Sequence, residues 1–518
     1  MPIQTPDWVR DAVFYQVFPD RFAASDRVPK PGPLEPWDSP PTMHGFKGGD
    51  LLGVVEHLPY LADLGVNTLY LTPIFMSASN HRYHTYDYLT VDPLLGGDAA
   101  LRELIDAAHG RGMKVVLDGV FNHTGRGFWA FHHVLENGSG SPYRDWFHFL
   151  PAALESHRPF RPYPWSTDVD DIPDEPSLNS SEDWKGDESF RRLGYRAWWG
   201  LPALPKLNTS NPEVREHLMG VAEHWLRFGI DGWRLDVPAE IRDEGFWEEF
   251  RRRCRAVNPD AYIVGEIWHE APEWLAGDRF DALMNYPLAE AILGYTAQGH
   301  LNEPVVRAHH EYGGTVHRRD GAAFAAELER LMGLYDPAVT YVQLNLLGSH
   351  DSPRFRTMAG SDPASYHLAV LLQATLPGAP CVYYGDEVGL EGANDPDCRA
   401  AFPWDPYRWD VGGVAWTGTA FGARAALPAL RRGDFRIAGA VADAFAFLRG
   451  AAAGGEPVLV AVNAGDDAVE LPVHAADLAG RTLTEVELVK PAGDPVVIAA
   501  DGTGSVPVPP RHGRILRA

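Results

Sequence analysis

From the amino terminus to about residue 432, short runs of apolar, β-branched and aromatic residues alternate with segments that have helical periodicity. Several of the intervals carry clear helical patterns, at 51–65, 98–112 and 211–229, and the last opens with an Asn-Pro pair that favours a helix start. Strand–helix alternation repeated in this way predicts an α/β protein built on a (β/α)₈ TIM barrel. The eight runs begin at Ala12, Val66, Lys114, Ile230, Ala261, Phe280, Val342 and Ala379.

Two stretches do not fit a simple barrel. Residues 122–207 are irregular and rich in Trp, Pro and Gly, and a structureless loop of that length is rare inside a compact domain. We therefore expect an inserted subdomain after the third strand. From residue 433 the chain consists of short strand-like segments joined by Gly and Asp turns, which predicts a C-terminal antiparallel β-sandwich over 433–518. The barrel then comprises residues 1–121 and 208–432.

Composition narrows the class of partner. The 518 residues are 45% hydrophobic and 22% charged, as in ordinary globular proteins, and 70 acidic against 45 basic residues give a net charge of -25. Nucleic acids and anionic membranes attract clustered Lys and Arg, so this balance argues against both and fits a neutral substrate. Cys254, Cys381 and Cys398 lack the number and spacing of a disulfide framework or zinc site.

The amino-terminal stretch MPIQTPDWVRD does not have the pattern of a signal peptide. Apolar runs of the length needed to span a bilayer do not occur in the sequence. We therefore expect a cytoplasmic protein.

Polar side chains cluster where the predicted strands end, which is where barrel enzymes carry their chemistry. A single pair could be structural: Arg234 and Asp236 share one face of a strand and could form a buried ion pair. Acids crowded on one rim repel each other, however, and two carboxylates flanking a bond are what glycoside hydrolysis requires. The strand-end residues are Asp118, Asn122, His123, Arg234, Asp236, Glu266, His350 and Asp351.

Four short motifs, DGVFNH (118–123), GWRLDVPAE (232–240), GEIW (265–268) and GSHD (348–351), resemble the catalytic regions of the α-amylase family, glycoside hydrolase family 13, in order and spacing. The resemblance implies a retaining mechanism through a covalent glycosyl-enzyme. It assigns the nucleophile to Asp236, the general acid/base to Glu266 and transition-state stabilisation to Asp351.

The same resemblance implies a set of substrate-binding residues around the reacting sugar. Tyr86 competes with Tyr83 for the role of the aromatic that stacks on that sugar. The implied set is Tyr83, His84, Asp118, His123, Arg234, His350 and Arg354.

The segment WWGLPALPKLN (198–208) resembles the signature of the neopullulanase, cyclomaltodextrinase and maltogenic amylase group. That group cleaves α-1,4 bonds, and in some members α-1,6 bonds, in cyclic and short α-glucans without a required cofactor. Lys206, Glu240 and Trp268 would then line the acceptor side, although they also fit a surface lysine, a solvated acid and a core aromatic. Ala239 removes an amide common in the group, which bears on transfer and linkage preference.

Two departures from the group concern its other properties. The barrel begins near residue 12, without the N-terminal domain through which the group dimerises, so we expect a monomer or a homodimer formed differently. The calcium loop that many members carry reads FAASDRVPKPGP here and leaves only Asp26, Gly49 and Asp50 as candidate ligands. Calcium takes six to eight oxygens, so no calcium requirement is expected.

Three other functions compete with glycoside hydrolysis. An α-glucanotransferase or a glucosyl isomerase would use the same site with another acceptor. A non-catalytic amylase-like protein tends to lose one of the three acids, all of which are present here. A metal-dependent barrel hydrolase could use His132 and His133, but adjacent histidines do not point together on a strand, and we expect them in a loop.

Overall fold

The computed structural model describes residues 2–156, 160–163, 188–451, 455–489 and 493–518. The strands in chain order are β1 (Phe14–Val17), β2 (Thr68–Leu71), β3 (Phe75–Ser77), β4 (Thr85–Val91), β5 (Lys114–Gly119), β6 (Gly232–Leu235), β7 (Tyr262–Gly265), β8 (Ala282–Leu283), β9 (Leu344–Leu346), β10 (Ala379–Tyr383), β11 (Phe435–Val441), β12 (Ala444–Arg449), β13 (Val458–Asn463), β14 (Val469–His474), β15 (Thr482–Glu485), β16 (Val496–Val497), β17 (Thr503–Val508) and β18 (His512–Arg517).

The α-helices in the same residues are α1 (Pro19–Phe22), α2 (Leu51–Glu56), α3 (Leu58–Asp63), α4 (Gly97–His109), α5 (Trp129–Asn137), α6 (Pro151–Ser156), α7 (Glu188–Leu193), α8 (Pro212–Phe228), α9 (Phe246–Val257), α10 (Tyr286–Thr296), α11 (Glu303–Ala308), α12 (Gly321–Met332), α13 (Pro337–Thr340), α14 (Phe355–Met358), α15 (Pro363–Thr375), α16 (Val411–Ala426) and α17 (Pro428–Arg432).

Eight parallel strands form the barrel, in the order β8-β7-β6-β5-β2-β1-β10-β9. A parallel bridge between Met284 and Leu344 joins the two ends of that order and closes the ring. Each barrel strand lies within one of the eight runs predicted from the sequence, so the TIM barrel is confirmed. Every residue of most of these strands is buried, because helices cover the outer face and side chains fill the interior.

Helix α8 shows how the sequence directs this packing. Val214, Leu218, Val221 and Trp225 recur at helical spacing and are buried against the sheet. The Asn211 side chain accepts a hydrogen bond from the Glu213 amide at 2.8 Å, which caps the helix start. At the other end Gly229 adopts a φ of 115°, a left-handed conformation that costs glycine little, and ends the helix.

An inserted segment separates β5 from the helix that leads to β6, as expected. Its described parts are held together by antiparallel bridges, including His123 with Lys206 and Phe149 with Tyr195. The predicted subdomain 122–207 includes residues 157–159 and 164–187, which lie outside the described residues. Its boundaries stay a prediction.

The C-terminal region folds as an antiparallel sandwich, as predicted. One sheet has the order β11-β12-β13-β18-β15-β16, and the pair β14-β17 packs across a separate apolar core. Among the residues that the structure describes, no helix combines the length and apolarity needed to cross a membrane.

Candidate active site

The barrel register brings the strand-end polar residues to one rim. Asp118 on β5 pairs with Arg234 on β6, and Leu235 pairs with Gly265 on β7. Asp236 and Glu266 each follow the last residue of a strand, so they emerge side by side at the carboxyl edge of the barrel. This is the edge that carries active sites in TIM barrels.

Arg234 is the centre of the cluster. Its fully buried guanidinium contacts Asp118 Oδ2 at 2.9 Å through Nη1. The same nitrogen lies 3.2 Å from Asp236 Oδ1, and Nη2 lies 2.9 Å from Glu266 Oε1. One cation therefore orients three carboxylates, so Arg234 and Asp236 belong to a larger cluster and are not an isolated structural ion pair.

Asp236 and Glu266 differ in how their oxygens are used. Asp236 Oδ2 is buried and has no hydrogen-bond partner among the described residues. Glu266 accepts hydrogen bonds from the Val237 amide at 3.1 Å and from the Trp268 indole at 3.4 Å. Val237 holds that amide with a φ of 35°, a strained conformation for a β-branched residue of the kind that functional sites retain.

Burial and mutual repulsion set the protonation of this pair. Removal from water raises the pKa of Asp236 well above its usual value, and Glu266 raises it further. Burial likewise raises the pKa of Glu266 to about 7, with Asp351 adding to the rise and Arg234 opposing it. The pair therefore keeps one proton near neutral pH, as one acid and one carboxylate.

Asp351 lies on the other side of the centre, between His350 and Arg399. His350 Nε2 lies 3.0 Å from Asp351 Oδ2, and Arg399 donates to Oδ1 at 3.1 Å. Burial would raise the pKa of Asp351, but His350, Arg399 and Arg234 outweigh it and hold that pKa below its usual value. Gln16 Nε2 lies 2.9 Å from His350 Nδ1, and in this amide orientation it leaves the ring proton on Nε2, which lies 2.6 Å from the Tyr83 hydroxyl oxygen.

Tyr83, rather than Tyr86, occupies the centre. Its hydroxyl donates to Asp118 Oδ2 at 2.9 Å, and its ring stacks on His350 with centroids 5.2 Å apart. Tyr86 packs instead against Gly125 and Gly127.

Two further histidines line the same side and stay neutral. Burial lowers the pKa of His84 to about 4 and that of His123 well below its usual value. The His123 ring stacks on Trp198, with centroids 4.9 Å apart, and its Nε2 has no partner in the described part of the chain. Burial also lowers the pKa of His350, to about 3. Neutral imidazoles and unpaired polar atoms suit hydrogen bonding to uncharged hydroxyl groups.

The predicted acceptor-side residues lie beside the Glu266 edge. The Trp268 ring stacks on Tyr286 with centroids 3.5 Å apart, close to Glu266. The Lys206 ammonium is buried and donates to Asn122 Oδ1 and, at 3.0 Å, to the Glu240 carbonyl. Lys206 is thus no surface lysine. Glu240 is half-buried at the end of a short 3₁₀ turn over Pro238–Glu240.

Arg354 is not brought to this centre. Its side chain is fully buried, donates to Asp386 Oδ1 and the Tyr384 carbonyl at 2.8 Å each, and lies over the Tyr383 ring. The sequence places it three residues after Asp351, but the chain turns there and directs it into the barrel wall. Its contacts fit a structural role better than sugar binding.

The residues in the expected calcium loop do not fit a calcium ion. Asp50 Oδ1 accepts from the Gly53 amide at 2.7 Å and Oδ2 from the Ser25 amide at 2.9 Å. The Lys30 ammonium also contacts Asp50 Oδ2 at 3.0 Å, which places a positive charge where the cation would be. Gly49 donates its amide to the Asp20 carbonyl at 2.9 Å.

The two adjacent histidines lie in a helix, not in the loop we expected. His132 and His133 belong to α5, and His133 Nδ1 contacts Ser141 Oγ at 2.9 Å. Across the described ranges, no three His, Cys, Asp or Glu side chains come together as a metal-binding group.

Four residues of the centre were not found from the sequence. Tyr70 donates to Asp118 at 2.7 Å, and Gln16 positions His350. The Tyr286 ring stacks on the Trp268 ring and fixes its position. Arg399 also contacts Asp395 at 3.0 Å. Only Gln16 left a signal, since it is a polar residue inside the apolar strand FYQV. Tyr70 and Tyr286 come near the acids through barrel closure, and Arg399 through the path of the loop after β10.

Comparison with known proteins identifies the class. The family described as alpha amylase, catalytic domain, matches residues 16–414. The chain belongs to the α-amylase family and is a glycoside hydrolase of that family.

Individual relatives point to one part of the family. A cyclomaltodextrinase from Geobacillus thermopakistaniensis is 40% identical over 485 residues, which cover 93% of this chain and 74% of that protein. Neopullulanase 2 from Thermoactinomyces vulgaris is 42% identical over 449 residues, covering 86% of this chain and 68% of the relative. The solved structure of a cyclic α-maltosyl-(1→6)-maltose hydrolase from Arthrobacter globiformis superposes with a TM-score of 0.79 at 36% identity, over 99% of this chain and 100% of the other.

Proposed function

We propose that this protein is a retaining α-glucan hydrolase that cleaves α-1,4, and also α-1,6, glucosidic bonds in cyclomaltodextrins, maltooligosaccharides and related short glucans. The observation that carries the proposal is the single guanidinium of Arg234 bound to both Asp236 and Glu266. Two carboxylates on one guanidinium are close neighbours, and retention requires a short separation that leaves no room for a water between them.

In the first step, Asp236 Oδ2, the oxygen with no partner, attacks the anomeric carbon of the bound sugar. Arg234 holds the other oxygen and stabilises the ionised form. Glu266 gives the proton that the pair retains to the glycosidic oxygen, and the leaving sugar departs. Asp351, kept ionised by the guanidinium groups of Arg399 and Arg234, stabilises the positive charge that develops on the sugar ring.

In the second step, Glu266 is a carboxylate and takes a proton from a water molecule at the vacated position. The water oxygen attacks the anomeric carbon, and the bond to Asp236 breaks. A sugar hydroxyl in place of water would give transfer, so an α-glucanotransferase or a glucosyl isomerase is the alternative that this geometry also supports.

The class of substrate follows from the neutral lining and the relatives. Neutral His84, His123 and His350 and the aromatic pair Trp268–Tyr286 suit an uncharged polyol with apolar ring faces. The names of the relatives include hydrolases of cyclic glucans and of a tetrasaccharide with 1→6 bonds. We place the enzyme in the cytoplasm, where its three buried thiols stay reduced.

Product analysis tests this proposal. The protein is incubated with α-, β- and γ-cyclomaltodextrin, pullulan, maltotriose, starch, sucrose, trehalose and the cyclic tetrasaccharide, with and without added maltose. We expect hydrolysis of cyclomaltodextrins in preference to starch, with initial products in the α configuration. Preference for sucrose or trehalose would contradict the substrate class, and β products would contradict retention.

The residue assignment is tested by Glu266→Gln, which keeps the shape and removes the proton. We expect kcat on maltotriose to fall by about 10³-fold, within the range of general acid–base catalysis. Glu273→Gln, an exposed residue in the following 3₁₀ turn, is the matched control and should keep wild-type activity. Near-normal turnover by Glu266→Gln would remove Glu266 from the mechanism.

A further inference from the structure

The segment after β8 carries a buried histidine, His309, that takes no part in the steps described above. It directly follows α11, and only 3% of its surface is exposed. Polar groups that are buried this completely are normally hydrogen-bonded. The partners of its two ring nitrogens therefore indicate what the residue does.

The backbone fixes which ring nitrogen of His309 carries hydrogen. The Tyr312 amide nitrogen lies 3.2 Å from His309 Nδ1, and a backbone N–H can only donate, so Nδ1 accepts and is unprotonated. The Gly313 amide donates to the His309 carbonyl at 2.9 Å and closes the same turn. Burial lowers the pKa of His309 below its usual value, which keeps the ring neutral. The single ring hydrogen is therefore on Nε2.

This hydrogen is donated to the backbone of a catalytic acid. His309 Nε2 lies 2.9 Å from the carbonyl oxygen of Asp351, 42 positions further along the chain. That oxygen belongs to the planar peptide bond that follows Asp351. A rotation of this peptide would change the direction in which the Asp351 carboxylate extends, and the bond from His309 opposes it.

A second contact holds the preceding carbonyl from the opposite side. Arg399 Nε donates to the His350 carbonyl at 2.8 Å, from the loop after β10. In the closed ring β9 lies between β10 and β8. The segment after β9, which carries Asp351, is thus held by Arg399 from one neighbouring loop and by His309 from the other.

The His309 ring also packs against aromatic residues on the acceptor side. Its centroid lies 5.5 Å from that of Trp268 and 4.9 Å from that of Tyr312. Any ring of similar size would fill this space. Packing therefore does not require the two nitrogens, whereas the bond to Asp351 requires Nε2.

We infer that His309 is a positioning residue for hydrolysis: through its Nε2 hydrogen it fixes the peptide bond after Asp351 and so holds the Asp351 carboxylate against the sugar ring in the transition state. This inference rests on the proposed hydrolase function, in which Asp351 stabilises the positive charge on the sugar. An uncharged sugar in the ground state gains less from that carboxylate, so His309 should matter more for turnover than for binding.

Three substitutions separate the nitrogens from the ring. His309→Gln keeps an amide donor near the position of Nε2, His309→Asn keeps only an acceptor near Nδ1, and His309→Phe keeps the ring without either nitrogen. We expect kcat on maltotriose to fall about 100-fold in the Asn and Phe variants, as when a catalytic group is misplaced by about 1 Å, with KM nearly unchanged. His309→Gln should recover most of the wild-type kcat.

Inhibitor binding supplies a readout that a packing role would not change. Protonated 1-deoxynojirimycin carries a positive charge at the position of the sugar ring oxygen, whereas maltose is neutral. In His309→Asn we expect the dissociation constant of the protonated iminosugar to rise about tenfold, because the attraction between its charge and the Asp351 carboxylate weakens with distance. The dissociation constant of maltose should stay at the wild-type value.

His300→Asn and His300→Phe are the matched controls. His300 is an exposed histidine shortly before α11 in the same segment. Both variants should keep the wild-type kcat and both wild-type dissociation constants.

The outcomes separate two kinds of failure. A wild-type kcat in His309→Asn or His309→Phe, or equal losses of affinity for the iminosugar and for maltose, overturns the positioning role and leaves the hydrolase standing. A loss in His309→Gln as large as that in His309→Phe does the same, and this comparison decides if His309→Asn does not fold. A folded wild type that cleaves no α-glucan overturns the proposed function, and the role of His309 with it.

Discussion

At the scale of the residue, charge balance dominates the centre. One buried guanidinium, that of Arg234, faces the carboxylates of Asp118, Asp236 and Glu266. Acids packed this closely in a buried place cannot all ionise, and the excess is relieved by a retained proton. The hydrolytic mechanism needs that proton on Glu266 before each turnover.

This proton predicts the alkaline side of the pH profile. Burial raises the pKa of Glu266 to about 7, so the general acid loses its proton as the pH rises above that value. The value of kcat/KM should then fall by up to about tenfold per pH unit. The measurement is kcat/KM on maltotriose across the pH range in which the melting temperature is constant. Glu266→Gln cannot titrate and should lose the alkaline limb. A wild-type profile that stays flat to about pH 9 would contradict the assignment.

The sequence motifs were sufficient to predict the three acids but not the residues that position them. Asp236, Glu266 and Asp351 could be placed together because each follows a recognisable strand of one barrel. Arg399 could not, because its contact with Asp351 depends on the path of a long loop after β10. Arg354 shows the reverse error: closeness in sequence to Asp351 suggested a sugar contact, while the backbone turns its side chain toward Asp386.

At the scale of the element, a buried lysine joins the inserted segment to the barrel. Lys206 reaches Asn122 after β5 and the Glu240 carbonyl after β6. Burial lowers its pKa to about 7, against about 10.4 in an unfolded chain. Between these values the unfolded chain binds a proton that the folded chain lacks, so stability from this group rises with pH.

Lys206→Met should abolish that dependence. As the pH rises from about 7 to about 10, the free energy of unfolding of the wild type should increase relative to that of the variant by up to about 1.4 kcal/mol per pH unit. Chemical denaturation at several pH values measures the difference. Lys114→Met, which removes a lysine with a half-exposed side chain from β5, is measured in parallel as the control for the loss of a lysine. A difference between the wild type and Lys206→Met that stays constant over this range would contradict the lowered pKa.

Strands were predicted correctly where every residue is buried, and they were missed where buried residues alternate with polar ones. The barrel strands read as apolar runs because both faces are covered. The hairpin β3–β4 was missed because β4, TYDYLTV, mixes buried residues with half-buried polar ones and exposes Leu89, so it does not read as an apolar run.

At the scale of the whole molecule, a buried arginine of the sandwich, Arg449, is held by carbonyls of the barrel, and Arg424 of the barrel shares one of them. Arg449 on β12 is buried and donates to the Leu430 and Gly433 carbonyls at 2.6 and 2.9 Å and to the Thr375 carbonyl at the end of α15. Arg424 on α16 donates to the carbonyls of Gly378 at 2.6 Å and, at 3.1 Å, of Leu430. Carbonyls at helix ends are suited to hold cations.

Arg449→Ala should therefore weaken the molecule as a whole. It leaves several buried carbonyls without donors, and we expect a loss of about 3 kcal/mol and a melting temperature lower by a few degrees. Arg436→Ala, an exposed arginine on the neighbouring strand β11, should change stability by no more than about 0.5 kcal/mol. Equal melting temperatures for the two variants, measured by calorimetry, would show that the carbonyl cage contributes little.

Gln16 has a consequence for anyone who would rebuild this enzyme. It touches neither a carboxylate nor, in our mechanism, a sugar, yet its amide orientation decides which nitrogen of His350 carries hydrogen. Strand β1 thus helps to specify chemistry at a residue more than three hundred positions away. A chimaera that exchanges β1 for the first strand of a distant barrel would keep all three acids. It would still place the His350 proton on the wrong ring nitrogen.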